Sequence, residues 1–105
     1  MKLKLKESAV VRQVRDMAFV YGYEVHRIHV GRYRSMDGKR VITMAPTGTP
    51  DLLLVHPIKP VRYVETKATF GKVRKLQTLT HAALRQRGFL VDVVRNWEQV
   101  KRLFV

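Results

Sequence analysis

The chain has 105 residues, no cysteine, and 21 Lys and Arg against 8 Asp and Glu, a formal net charge of +13. That length fits one small domain over residues 1–105, and 46% hydrophobic residues suffice for a modest core. The composition excludes disulfides and Cys-based zinc sites, and its charge points to a polyanionic partner, most often nucleic acid. A basic membrane-surface protein is the rival class, but the sequence carries no basic amphipathic anchor and no lipidation signal. No apolar run is long enough to span a bilayer, and Lys2 to Lys6 lacks the apolar stretch of a signal peptide. A cytoplasmic protein is expected.

The first helix is predicted to begin near Glu7 or Ser8. Val10, Val11, Val14, Met17, Ala18 and Tyr21 recur at helical spacing, and Gly22 is a good C-terminal stop. A strand follows over about 23–30. Residues 31–40 read as a hairpin loop with Asp37-Gly38 as the turn, and 41–44 as the returning arm. Leu52 to Val55 is continuously apolar, as a strand buried on both faces should be. Pro57 and Pro60 bracket a turn, and Arg62 to Lys67 returns as a strand. After a loop over 68–72, a second helix is expected over 73–87, with Leu76, Leu79, Thr80 and Ala83 facing inward and Gly88 capping it. Residues 89–94 form another buried strand. Asn96 then caps a short last helix, with Gln99 in capping-box position. The order is α-β-β-β-β-α-β-α. A helix between the last two strands implies a parallel crossover, hence an α/β fold with a mixed β-sheet flanked by helices.

The stretch Thr47 to Lys67, TGTPDLLLVHPIKPVRYVETK, holds the most chemistry. Strand geometry puts Tyr63, Glu65 and Lys67 on one face, with Val64 and Thr66 on the other. Gly48 and Pro50 shape a bend that brings Asp51 toward Glu65. Two carboxylates aimed at one point repel unless a cation sits between them, and hard oxygen ligands at low count suit Mg²⁺ or Mn²⁺. A lone Glu-x-Lys would read as a surface ion pair. Here the surrounding strands read as buried, where unpaired charge is costly, and that favours a metal site. His26 and His29 fall on opposite faces of their strand, and His56 and His81 have no ligand partner in sequence. All four read as structural or phosphate-contacting.

These residues together resemble a stand-alone virus-type replication-repair nuclease (VRR-NUC) domain, of the PD-(D/E)xK restriction-endonuclease-like superfamily. The likeness runs nearly end to end. It comprises Glu7 opening the first helix, VHRIHVG over 25–31, GTPDLLLV with its Gly-x-Pro-Asp, VETKA with its Glu-x-Lys, Gln77 early in the second helix, and GFLVDVVRNWEQV at the end. Each is common by chance, whereas all six in order at fitting spacing are not. One departure is His29, where a small polar residue such as Asn is expected. The resemblance implies a restriction-endonuclease-like fold and metal-dependent phosphodiester hydrolysis. Asp51 and Glu65 would hold the metal, with the Thr66 carbonyl and Glu7 as further ligands. Lys67 would stabilise the reacting phosphate or orient water, and Gln77 would position the phosphate or fix Lys67.

Arg32, Arg34, Lys39 and Arg40, with Tyr33 among them, lie in or near the hairpin, and Lys72, Arg74 and Lys75 flank the start of the second helix. With Arg27 as a phosphate clamp, these are the DNA-binding candidates, and they suit phosphate more than base readout. Arg85 and Arg87 suit the dipole at the end of their helix. Stand-alone members of the family resemble junction resolvases, so branched DNA such as a four-way (Holliday) junction and a homodimer are implied. The outer face of the first helix, with Val10, Val14 and Phe19, and the segment Trp97 to Phe104 are the expected dimer surfaces. The alternative is a non-catalytic basic DNA-binding module on the same fold.

Overall fold

A computed structural model describes residues 4–105, so Lys2 lies outside the described residues. Nine elements follow one another: α1 (Glu7–Val20), β1 (Glu24–Arg27), β2 (Arg32–Arg34), β3 (Val41–Thr43), β4 (Leu52–Val55), β5 (Arg62–Thr66), α2 (Lys75–Gln86), β6 (Leu90–Val94) and α3 (Trp97–Arg102). Helix α1 forms where its apolar stripe predicts, with Val10, Val11, Val14 and Ala18 buried. It closes with Gly22 at a φ of 80°, while the Tyr23 N–H donates to the Ala18 carbonyl at 2.9 Å and Gly22 N–H to Phe19 at 3.4 Å. This pair of bonds satisfies carbonyls that the helix end leaves open.

Four strands make one mixed sheet in the order β1-β4-β5-β6. β4 pairs antiparallel with both β1 and β5, and β6 runs parallel to β5. Helix α2 makes the parallel crossover that the chain order implies. One face of the sheet is the core. Leu52, Leu54, Val64 and Val94 pack there with Val10 and Val14 of α1 and with Val100 and Leu103 of α3. Because side chains alternate along a strand, Glu65 on β5 points away from that core, toward α2.

Four expectations are corrected. The strand over 23–30 is only four residues long, and it pairs with β4 rather than with the arm near 41–44. That arm pairs instead with a strand inside the expected loop, β2, in a separate two-stranded sheet. Residues 28–31 leave the main sheet to reach it, and Gly31 turns the chain at a φ of 97°. β4 is wholly buried on one face only, since Leu53 and Val55 are half-buried.

The second helix has the expected period but a shifted phase: of the four residues expected inward, Thr80 is half-buried against the Gly48 turn and the other three are exposed. Leu76 is 50% exposed, Leu79 is 58% exposed and Ala83 is exposed, whereas His81 is the buried residue of α2. Val10 and Val14 are fully buried in their own chain and cannot form an outer face. Phe104 is also occupied: its ring stacks on Tyr21 at 5.7 Å and meets Tyr23 edge-on at 5.4 Å. Asn96 does cap α3, accepting from the Gln99 N–H at 2.9 Å, but Gln99 returns its bond to the Arg95 N–H.

Candidate active site

The site starts with a turn. Thr49 N–H donates to the Pro46 carbonyl, and Gly48 sits at a φ of 98°. A Cβ at Gly48 would lie 2.5 Å from Thr80 Oγ1 and 2.9 Å from the Leu76 carbonyl oxygen. Only a glycine lets this turn press against α2, and that contact sets where the next residues begin. Pro50 is buried, and the Asp51 carbonyl accepts from Ile28 N–H at 2.7 Å. Asp51 is thereby pinned at the head of β4.

Its carboxylate reaches across to the end of β5. Oδ1 accepts from the Thr66 N–H at 2.7 Å, and Oδ2 accepts from the Thr66 hydroxyl at 2.5 Å. Glu65, one residue earlier, is 3% exposed. Burial, then the Asp51 carboxylate, push its carboxyl up to about 8, while Lys67 pulls the other way and Glu7 adds a smaller push. Those couplings bring Asp51, Glu65 and Lys67 into one electrostatic neighbourhood, with Glu7 at its margin. Lys67 lies just beyond β5, where its N–H donates to the Val94 carbonyl at 3.0 Å.

Helix α2 supplies the roof. The Gln77 carbonyl accepts from the Arg74 N–H at 2.9 Å, which turns its amide nitrogen toward Glu65 Oε1 at 3.1 Å. Gln77 therefore orients Glu65; its amide is not spent on Lys67. One helical turn on, His81 is 2% exposed with Nε2 at 3.7 Å from the same oxygen. Burial, then Arg85 and Lys67, lower the readiness of His81 to take a proton. Both shifts favour uncharged groups, so the His81–Glu65 approach is not an ion pair. Being buried, His81 is structural and does not contact phosphate.

The oxygen donors fit a hard divalent cation. Glu65 is buried beside a second carboxylate, and a cation between them would relieve both the repulsion and the burial cost. Among the described residues no group of three or more His, Cys, Asp or Glu could hold a metal. The protein side of such a site is thus two carboxylates, a set that suits Mg²⁺ because it retains waters and takes substrate oxygens.

Among solved structures, the chain is similar to one described as a VRR_NUC domain, at 28% identity and a TM-score of 0.70, over 94% of each chain. The chain has the VRR-NUC fold. This likeness supports a nuclease domain. No family model matches the sequence, and no curated protein does.

The VRR-NUC frame distributes the basic residues over three places. Arg32, Arg34, Lys39 and Arg40 are exposed on the β2–β3 hairpin, where the Tyr33 hydroxyl donates to the Val30 carbonyl. Lys72, Arg74 and Lys75 are exposed at the entry to α2, beside Gln77. Arg27 is exposed on the edge strand β1 and borders an open pocket of about 500 Å³ together with Glu7, Arg12 and Arg15. Sequence reasoning missed His81 as a neighbour of Glu65, although its spacing of four from Gln77 puts both on one helix face. It also missed Arg12 and Arg15, which lie one and two turns along α1 from Glu7. Among the described residues no helix is long and apolar enough to cross a membrane.

Proposed function

We propose that this VRR-NUC domain is a Mg²⁺- or Mn²⁺-dependent endonuclease that hydrolyses phosphodiester bonds in branched DNA such as a four-way junction. The observation that carries the reading is the convergence of Asp51 and buried Glu65 at the ends of β4 and β5, with Lys67 beside them. Asp51 and Glu65 would hold the metal, with the Thr66 carbonyl as a further ligand and Glu7 acting through a water or a second metal. A bound divalent ion supplies an acidified water and neutralises charge on the phosphate. The chain's own residues do the rest. Thr66 fixes the Asp51 carboxylate through two hydrogen bonds. Gln77 holds Glu65 in place, and Arg74 holds Gln77. Lys67 offers an ammonium for charge that builds on the phosphate. Arg27, the hairpin bases Arg32, Arg34, Lys39 and Arg40, and the group Lys72, Arg74 and Lys75 would grip the backbone without reading sequence.

Paired cuts in a near two-fold junction need two sites related by a matching axis, hence a homodimer. Leu76, Leu79 and Ala83 form an exposed apolar stripe on α2, and it replaces Val10 and Val14 as the self-complementary surface. Incubating plasmid and four-way junction DNA with Mg²⁺ or with chelator tests the reading. Metal-dependent cutting of the junction is expected. Tight binding with no cutting under any divalent ion would instead identify a non-catalytic DNA-binding module.

A further inference from the structure

A second cavity, of about 470 Å³, opens on the other side of the N-terminal segment, between α1 and the start of α3. Its size is within the range of small-molecule sites. One wall is made by Leu5 and Thr69, tied by the Thr69 N–H to Leu5 carbonyl bond at 3.1 Å and the Leu5 N–H to Thr69 hydroxyl bond at 2.6 Å. Thr69 is two residues beyond Lys67, and Leu5 two residues before Glu7. The cavity thus borders the segments that lead into the proposed active site.

Its lining joins an aromatic face to one unpaired acceptor, while the Glu98 carboxylate at its edge pairs with Lys101 at 3.5 Å. Trp97, the single tryptophan, lines it and is 40% exposed. Gln13 also lines it, and the Gln13 Oε1 atom is buried with no hydrogen-bond partner among the described residues. A buried acceptor left unpaired is costly, so this cavity suits an occupant that brings a donor. Glu98 adds a second acceptor, and Arg102 adds a cation at the rim. An apolar side chain would leave Gln13 Oε1 unpaired. A nucleobase has a π-face for the indole and an N–H for the acceptors: an exocyclic amine in cytosine, adenine and guanine, and the N3–H in thymine.

We propose that this cavity receives one unpaired base of the DNA substrate, stacked on Trp97 and held through an N–H donated to Gln13. The inference rests on DNA being the substrate. A base at a branch or in a single-stranded tail is not locked in a duplex stack, so little energy is lost in seating it. Stacking on one aromatic side chain corresponds to roughly a 5- to 150-fold gain in affinity. The pocket would make the enzyme prefer DNA with unpaired nucleotides near the cut.

The single tryptophan reports directly. In chelator, the wild-type chain is titrated with blunt duplex and with the same duplex bearing a short tail of cytosine or of thymine. Trp97 emission should change with either tail and not with the blunt duplex, and the tail should tighten binding about tenfold or more. Trp97→Leu should erase the tail advantage while binding blunt duplex as before. Gln13→Leu should weaken binding of both tailed duplexes while leaving blunt duplex as before, and it covers the case in which the tryptophan variant fails to fold. Equal affinity and equal emission for tailed and blunt DNA would overturn the pocket while leaving the DNA reading intact. Failure to bind any DNA would overturn both. An emission change that follows protein concentration without DNA would make the cavity a contact between copies and overturn its assignment to a base.

Discussion

The two faces of the four-stranded sheet are built from the same strands and put to different use. On the α1–α3 face, Val10, Val14, Leu52, Leu54, Val64 and Val100 are fully buried, so the removal of apolar surface from water is what holds this face together. On the α2 face, the residues packed against the sheet include Glu65, Gln77 and His81, while Leu76 and Leu79 turn to solvent. Alternation along β5 separates the two: Val64 belongs to one face and Glu65 to the other. Stability and chemistry are thus separated by a single residue of register.

Substitutions on the two faces should therefore break different things. The largest effect is expected at the chemical face. Glu65→Gln should bring cleavage below detection, and Lys67→Ala should lower it by about 10²-fold or more. In chelator at pH 8, Glu65→Gln should not lower the melting temperature, because it removes a buried acid, whereas Lys67→Ala should lower it, because it removes the cation that offsets the carboxylates. Full cleavage by Glu65→Gln would remove the metal assignment.

The next largest effect belongs to the core face. Leu54→Ala should cost about 2–5 kcal/mol of stability, seen as a lower denaturation midpoint in urea. Its specific activity per folded molecule should stay near wild type. A selective loss of activity in this variant would show that the two faces are not separable.

The smallest of the three is at the boundary. Gly48→Ala places a methyl 2.9 Å from the Leu76 carbonyl oxygen at a backbone φ of 98°. Strain of about 1–3 kcal/mol is expected, and a shifted Asp51 should slow cleavage by up to about 10²-fold. Adding Thr80→Ala should not rescue it, because the backbone contact with Leu76 remains. Rescue would assign the closeness to the Thr80 side chain alone.

The core face was legible in the sequence because its signals are local and consistent. The valine stripe of α1, the β4 run and the Pro-bracketed turn each agree with helix or strand periodicity. Asp51, Glu65 and Lys67 were legible because a two-residue period and one Pro turn suffice to bring them together. Helix α2 was misjudged in phase for a physical reason. Its inward face serves a buried carboxylate, so Gln77 and His81 point in and Leu76 and Leu79 point out, unlike an ordinary amphipathic helix. The β2–β3 pairing was hidden because β2 lies within a stretch that reads as loop, and all three of its residues are exposed.

The central claim is that Asp51 and Glu65 form a carboxylate pair that Lys67 offsets only in part until a divalent cation binds. Thermal unfolding against pH, with chelator and with Mg²⁺, tests it most directly. The Glu65 carboxyl is raised from its ordinary 4.5 to about 8, so the folded chain holds a proton that the unfolded chain releases. Its stabilising contribution is complete below about pH 4.5 and is lost as pH rises toward 8, on the order of a few kcal/mol over that span. In chelator, the melting temperature should fall from pH 5 to pH 8 in the wild type and fall less in Glu65→Gln. Mg²⁺ should restore the wild type at pH 8 and leave the variant unchanged. A wild-type melting temperature indifferent to Mg²⁺ at pH 8, with a pH dependence no steeper than that of Glu65→Gln, would contradict the account.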